Sequence, residues 1–126
     1  MFSHIMIGAN NIDASKKFYD AVLGAIGIPA AVIDDKGRVF YMTKTGIFGI
    51  TIPINGEPAC HANGGTIGFA VDGPEAGDAW HAAGVANGGT TCEDPPGIRE
   101  GSMGKMYLAY LRDPAGNKIC ALHRMG

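Results

Sequence analysis

Residues 106–123, MYLAYLRDPAGNKICALH, constrain this chain more than any other segment. Asp113-Pro114-Ala115-Gly116 fits a type I turn: the aspartate carboxylate accepts from the backbone it opens, proline presets φ at the second position, and glycine closes the turn. The turn joins Tyr107-Leu108-Ala109-Tyr110-Leu111 to Ile119-Cys120-Ala121-Leu122, so the spacing predicts a hairpin. Both runs are mostly apolar. That suits strands covered on two faces, one by helices and the other by a closed cavity.

The preceding chain supplies the covering elements. From Phe2 to Gly8, alternation puts Ser3, Ile5 and Ile7 on one face and Phe2, His4 and Met6 on the other. Asp13 is the expected cap of a helix in which Ala14, Phe18, Val22 and Ala25 recur at helical spacing, while Lys16, Lys17 and Asp20 take the wet side and Gly27 ends the run. Residues 32–34 and 38–43 flank the turn signal Asp35-Lys36-Gly37, and a second turn at Lys44-Thr45-Gly46 leads into residues 47–53. Residues 1–54 therefore read as a β-α-β-β-β unit, residues 55–63 as a linker without periodicity, and residues 64–124 as a second unit. A shift of 62 positions lays Ile5 on Ile67, Ile7 on Phe69, Phe18 on Trp80 and Gly27 on Gly89, as a duplicated unit would. Pro74 suits the first turn of the second helix. The segment TCEDPPGIREGSMGK, residues 91–105, reads as a long polar loop of the kind that lines or covers a binding site.

At 126 residues the chain suffices for one domain that buries roughly two-thirds of its unfolded surface, so neither disulfide nor metal is required for folding. Ten basic and twelve acidic residues are well mixed and leave a net charge of −2, which gives no electrostatic footprint for nucleic acid or an anionic membrane. The start, MFSHIMIGANNIDASKK, has no basic region ahead of its apolar residues, and no stretch approaches the ~20 apolar residues of a membrane span. The expected location is the cytoplasm. Cys60, Cys92 and Cys120 are odd in number and far apart, which points to reduced thiols rather than a disulfide framework or a zinc site.

Several pieces together resemble the vicinal oxygen chelate superfamily, which includes glyoxalase I, bleomycin-resistance proteins, fosfomycin-resistance enzymes and extradiol dioxygenases. They are the DP-x-GN-K turn between two strands, His4 in a short strand followed by Asp13-Ala14-Ser15-Lys16-Lys17-Phe18-Tyr19 and Leu23-Gly24, and Gly65-Thr66-Ile67-Gly68-Phe69-Ala70-Val71 followed by a helix and Gly88-Gly89. The resemblance implies an α+β fold whose two β-α-β-β-β units form a cupped mixed sheet, helices outside and a ligand cavity inside, in a homodimer. It also implies a divalent metal held by inward His or Glu side chains from the first and last strand of each unit. Carried over, those positions fall on His4, on Ile50 or Thr51, on Thr66 and on Cys120. Only His4 is a usual ligand, because alkyl and hydroxyl groups cannot replace carboxylate or imidazole. No cofactor is therefore expected, and a metal, if any, would have only His4 and Cys120.

Each candidate has a plainer role beside the functional one. His4 suits a cavity wall as well as a ligand set, and Cys120 suits a small buried hydrophobe. Arg99, on a segment held by Pro95 and Pro96, is a ready fork for a carboxylate or phosphate, or a surface ion-pair partner. Tyr41, Tyr107 and Tyr110 are cavity donors or core filler, depending on which strand face is inside. The expected ligand-binding set is thus His4, Tyr41, Thr51, Thr66, Arg99, Tyr107, Tyr110 and Cys120, with Gly68 and Ala70 leaving room beside them. The expected function is binding of a small, partly apolar, anionic molecule at a degenerate metal site. The rivals are a metal-dependent glyoxalase-like lyase or dioxygenase, and a drug-sequestering resistance protein, which the small net charge does not favour.

Overall fold

The computed structural model describes all 126 residues. The first unit comprises β1 (His4–Gly8), α1 (Ile12–Gly24), β2 (Val32–Ile33), β3 (Val39–Met42) and β4 (Ile47–Thr51). The second comprises β5 (Ile67–Ala70), α2 (Pro74–Ala86), β6 (Thr90–Thr91), β7 (Gly97–Gly101), β8 (Gly104–Arg112) and β9 (Lys118–Met125). The fold is α+β, with two open mixed sheets ordered β1-β4-β3-β2 and β5-β9-β8-β6, and β7 also pairing with β8. In each sheet the first and last strands are parallel neighbours, and the other pairs are antiparallel. This repeated order is the two-unit plan of the sequence, with the short β6 added.

Local chemistry moves some boundaries. Helix α1 starts before Asp13, because the Asn11 side chain accepts from the Ala14 N–H at 3.0 Å and so satisfies a donor that the helix leaves unpaired. Asp13 lies in the first turn, where the helix dipole favours its charge. Gly27 comes after the helix, at φ 85°, and turns the chain so that the Ile28 N–H reaches the Leu23 carbonyl at 3.0 Å. Residues 91–105 are not one loop: Gly97–Gly101 forms β7, which pairs with β8 through a turn that has Gly104 at φ 96°. Backbone groups along the edge of the nine-residue β8 recruit this polar, glycine-rich segment despite its low strand propensity.

The core lies on the helix-covered faces. Ile5, Ile7, Val39, Tyr41, Phe48 and Ile50 from the first sheet join Tyr107, Ala109, Leu111, Ile119 and Ala121 from the second in one cluster with Phe18, Val22 and Trp80 of the helices. The sheets are not hydrogen-bonded to each other. They meet through packing, including an edge-to-face contact of Phe48 with Phe69 at 5.2 Å between ring centroids. Each helix is also fastened to its sheet by a tyrosine: Tyr41 donates to Asp20 of α1 and Tyr107 to Asp78 of α2, both at 2.7 Å. Asp20, expected on the wet side, is thus half-buried as the acceptor for Tyr41.

The turn between β8 and β9 is type I in its hydrogen bonding, with the Gly116 N–H donating to the Asp113 carbonyl at 2.9 Å and Gly116 at φ 93°. The carboxylate of Asp113, only 4% exposed, accepts from the Ala115 and Asn117 N–H groups. Asn117 extends the contact by donating its amide to the Gly8 carbonyl of β1 at 3.0 Å. The hairpin motif therefore joins the two units.

Candidate functional site

Strand pairing assigns each side chain to a face. On the first sheet His4 pairs with Ile47, Met6 with Gly49 and Gly8 with Thr51, and these share the face without a helix. On the second sheet Gly68 pairs with Cys120 and Ala70 with Leu122, while Cys120 pairs with Tyr110 and Leu122 with Leu108. Gly68 and Ala70 are exposed on this face of the second sheet, as His4 is on that of the first.

A cleft of about 840 Å³ lies where the start of β1, the turn between β3 and β4, the segment after α1 and the edge of β5 come together. Its volume is in the range of small-molecule sites, and 12 of its 21 lining residues are hydrophobic, Phe2, Ile28, Met42 and Phe69 among them. Polar groups enter from one end, where β1 begins: Ser3, His4, Thr43, Lys44 and Thr45. Ser3 Oγ is 2.7 Å from His4 Nδ1, which orients the ring and leaves Nε2 for a ligand. Lys44 makes no ion pair with any protein carboxylate. Thr43 is committed locally, since its hydroxyl donates to the Gly46 carbonyl at 2.8 Å and shapes the turn that carries Lys44.

Of the eight expected site residues, the cleft contains His4 and Tyr41. Tyr41 and Tyr107 are core residues, 1% and 2% exposed, whose hydroxyls face the helices. Burial and then the paired aspartates raise both phenol pKa values. Thr51 donates to the Ile52 carbonyl at 2.9 Å, and Thr66 is exposed just before β5. Arg99 turns back on its own loop, donating to the carbonyls of Asp94, Pro95 and Gly97 at 3.0–3.1 Å. Tyr110 and Cys120 are neighbours on the helix-free face of the second sheet, with the thiol pKa raised chiefly by burial. Ser3 and Lys44 were not among the expected residues. Lys44 carries a signal of its own, as the only charge between Arg38 and Glu57.

The metal positions implied by the resemblance do not converge. Thr51 lies four residues beyond Ile47, the neighbour of His4, a separation of about 13 Å along the strand. Ile50 points to the core, and Thr66 precedes by two residues Gly68, the partner of Cys120. No group of three or more His, Cys, Asp or Glu side chains comes together in the structure. These residues do not fit the divalent ion of the resembled family.

Comparison with known proteins agrees with this architecture. A comparison with curated proteins finds none that matches. Among solved structures, a glyoxalase/bleomycin resistance protein from Albidiferax ferrireducens T118 is 64% identical, with 98% of this chain and 99% of that chain covered and a TM-score of 0.95. An integron cassette protein from V. cholerae is 25% identical over 97% of this chain and 93% of that one, with a TM-score of 0.66. A lactoylglutathione lyase from Agrobacterium tumefaciens is also 25% identical, over 97% and 92%, with a TM-score of 0.64. The family model for the Glyoxalase/Bleomycin resistance protein/Dioxygenase superfamily matches residues 1–121, nearly the whole of both units. With its paired β-α-β-β-β units and the turn that joins them, the chain belongs to that superfamily.

Proposed function

We propose that this chain binds a small amphipathic anion, a carboxylate on an apolar body, in the cleft at the start of β1, without an ion at the family's metal positions. The carrying observation is the composition of the cleft: an apolar wall with Lys44 and His4 at one end and no acidic residue in its lining. An unpaired ammonium and an oriented imidazole favour a negative head group, and the wall buries the body.

A second copy of the chain belongs to the proposal. Val32 and Met42, 57% and 50% exposed, leave an apolar helix-free face on the first sheet that a homodimer would cover. The free thiols of Cys60, Cys92 and Cys120 suit the reducing cytoplasm. The cationic end of the cleft disfavours the sequestration of cationic drugs, and the metal-dependent alternative would need donors that the strand register separates.

Titration with benzoate and with benzylammonium tests the reading, alongside elemental analysis of the purified chain. Benzoate should bind and benzylammonium should not, and Lys44→Ala or His4→Ala should weaken benzoate by about tenfold, the factor for a lost charge-assisted contact. Preference for benzylammonium would point to drug sequestration. Stoichiometric metal that is lost in His4→Ala would point to a lyase or dioxygenase.

A further inference from the structure

The helix-free face of the second sheet carries another group of ionisable side chains, none of which lines the cleft. Lys118 begins β9, pairs with the Glu93 carboxylate, and places Nζ 5.0 Å from the centroid of the Tyr110 ring. Arg99 approaches from β7. Tyr110 stands among these groups, since Cys120 and Glu93 add to the rise that burial gives its pKa, and Lys118 and Arg99 oppose it. The hydroxyls of Tyr19, Tyr41 and Tyr107 each meet an aspartate, whereas that of Tyr110 meets none.

Two features set Glu93 apart. It is the one residue other than glycine with a positive φ, 58°, a left-handed conformation in which a side chain's Cβ crowds the backbone. Its loop also satisfies both nearby cations, Lys118 through the Glu93 carboxylate and Arg99 through the carbonyls of Asp94, Pro95 and Gly97. The loop thus fills, with its own oxygens, the places an anion would take.

We propose that Lys118 and Tyr110 form a subsite for the carboxylate of a small ligand, and that the Glu93 side chain occupies it in the free chain, tethering residues 92–96 until a ligand displaces it. A carboxylate is the class because a carboxylate already sits there. Exchange has a path to solvent: the internal pair is 25% and 43% exposed, so water reaches it and screens part of its attraction. Release lets the Glu93 backbone leave its left-handed state. The incoming ligand gains a hydrogen bond from the Tyr110 hydroxyl, which Glu93 does not accept.

The subsite is independent of the cleft, so the test is run in a His4→Ala/Lys44→Ala background, with benzoate titrated by calorimetry. Adding Glu93→Gln should tighten binding by about three- to tenfold, the factor set by an exposed ion pair together with left-handed strain. Glu93→Gly removes the same carboxylate and tolerates the positive φ; it should bind as tightly with no loss of melting temperature, and it serves if Glu93→Gln folds poorly. Lys118→Gln should weaken binding at least about tenfold. Unchanged affinity in both Glu93 variants, equal binding in Lys118→Gln, or no benzoate binding in any of them would overturn the proposal.

Discussion

Tyr19 of α1 donates its hydroxyl to Oδ2 of Asp113 at 2.7 Å, a bond between residues 94 positions apart that fastens the first unit to the last turn of the second. Tyr19 is fully buried, and Asp113 also accepts from the Asn117 side chain at 2.9 Å. The aspartate that opens the hairpin is therefore also the acceptor that unites the units.

Removing the acceptor should cost more than removing one donor. Asp113→Ala strands one buried and three half-buried donors and should lose about 3 kcal/mol, whereas Tyr19→Phe should lose about 1–2 kcal/mol. Urea unfolding measures both. Equal losses would mean that the turn and Asn117 need little from the carboxylate.

Alkaline pH should weaken the fold through the same tyrosines. Burial first, and the neighbouring aspartate next, raises the pKa of Tyr19, Tyr41 and Tyr107 above the ordinary value. The native chain therefore keeps protons that the unfolded chain releases near pH ~10. Stability from these groups is complete below that pH and is lost as pH rises toward the folded values. Melting temperature followed through pH ~10 should fall less steeply in Tyr19→Phe than in the wild type. Parallel curves would remove Tyr19 from the explanation.

Gly84 permits the approach of α2 to its neighbours. A Cβ there would overlap Cδ1 of Leu111 and crowd Cγ1 of Val22 at 3.1 Å, so Gly84→Ala should cost about 1–3 kcal/mol despite its gain in helix propensity. Gly24, at the end of α1, meets nothing within 4 Å, so Gly24→Ala should be neutral or stabilising. Calorimetry on the pair separates crowding from propensity.

The register itself can be tested with metal. Ile47→His places a second imidazole about 5 Å from His4 on the neighbouring strand, whereas Thr51→His places it at the far end. Zinc titration should show affinity in Ile47→His that disappears on adding His4→Ala. Thr51→His should show none.

The sequence by itself determined the elements whose causes are local. The Asp113–Gly116 turn follows from its own four residues, and the helices follow from apolar spacing around Phe18 and Trp80. Alternation likewise placed His4 opposite Ile5 and Ile7. Only the tertiary structure decided which strand face a helix covers, because alternation relates side chains to one another without saying which side is buried. That choice put Tyr41 and Tyr107 in the core and left Tyr110 on the other face. It was also tertiary structure that made β7 a strand, since edge pairing uses backbone groups that are alike at every residue, and that spent Arg99 on the carbonyls of its own loop. The cleft is the most distant from sequence: Ser3, Ile28, Lys44 and Ala70 line one space only because strand pairing and helix packing fold their remote segments together.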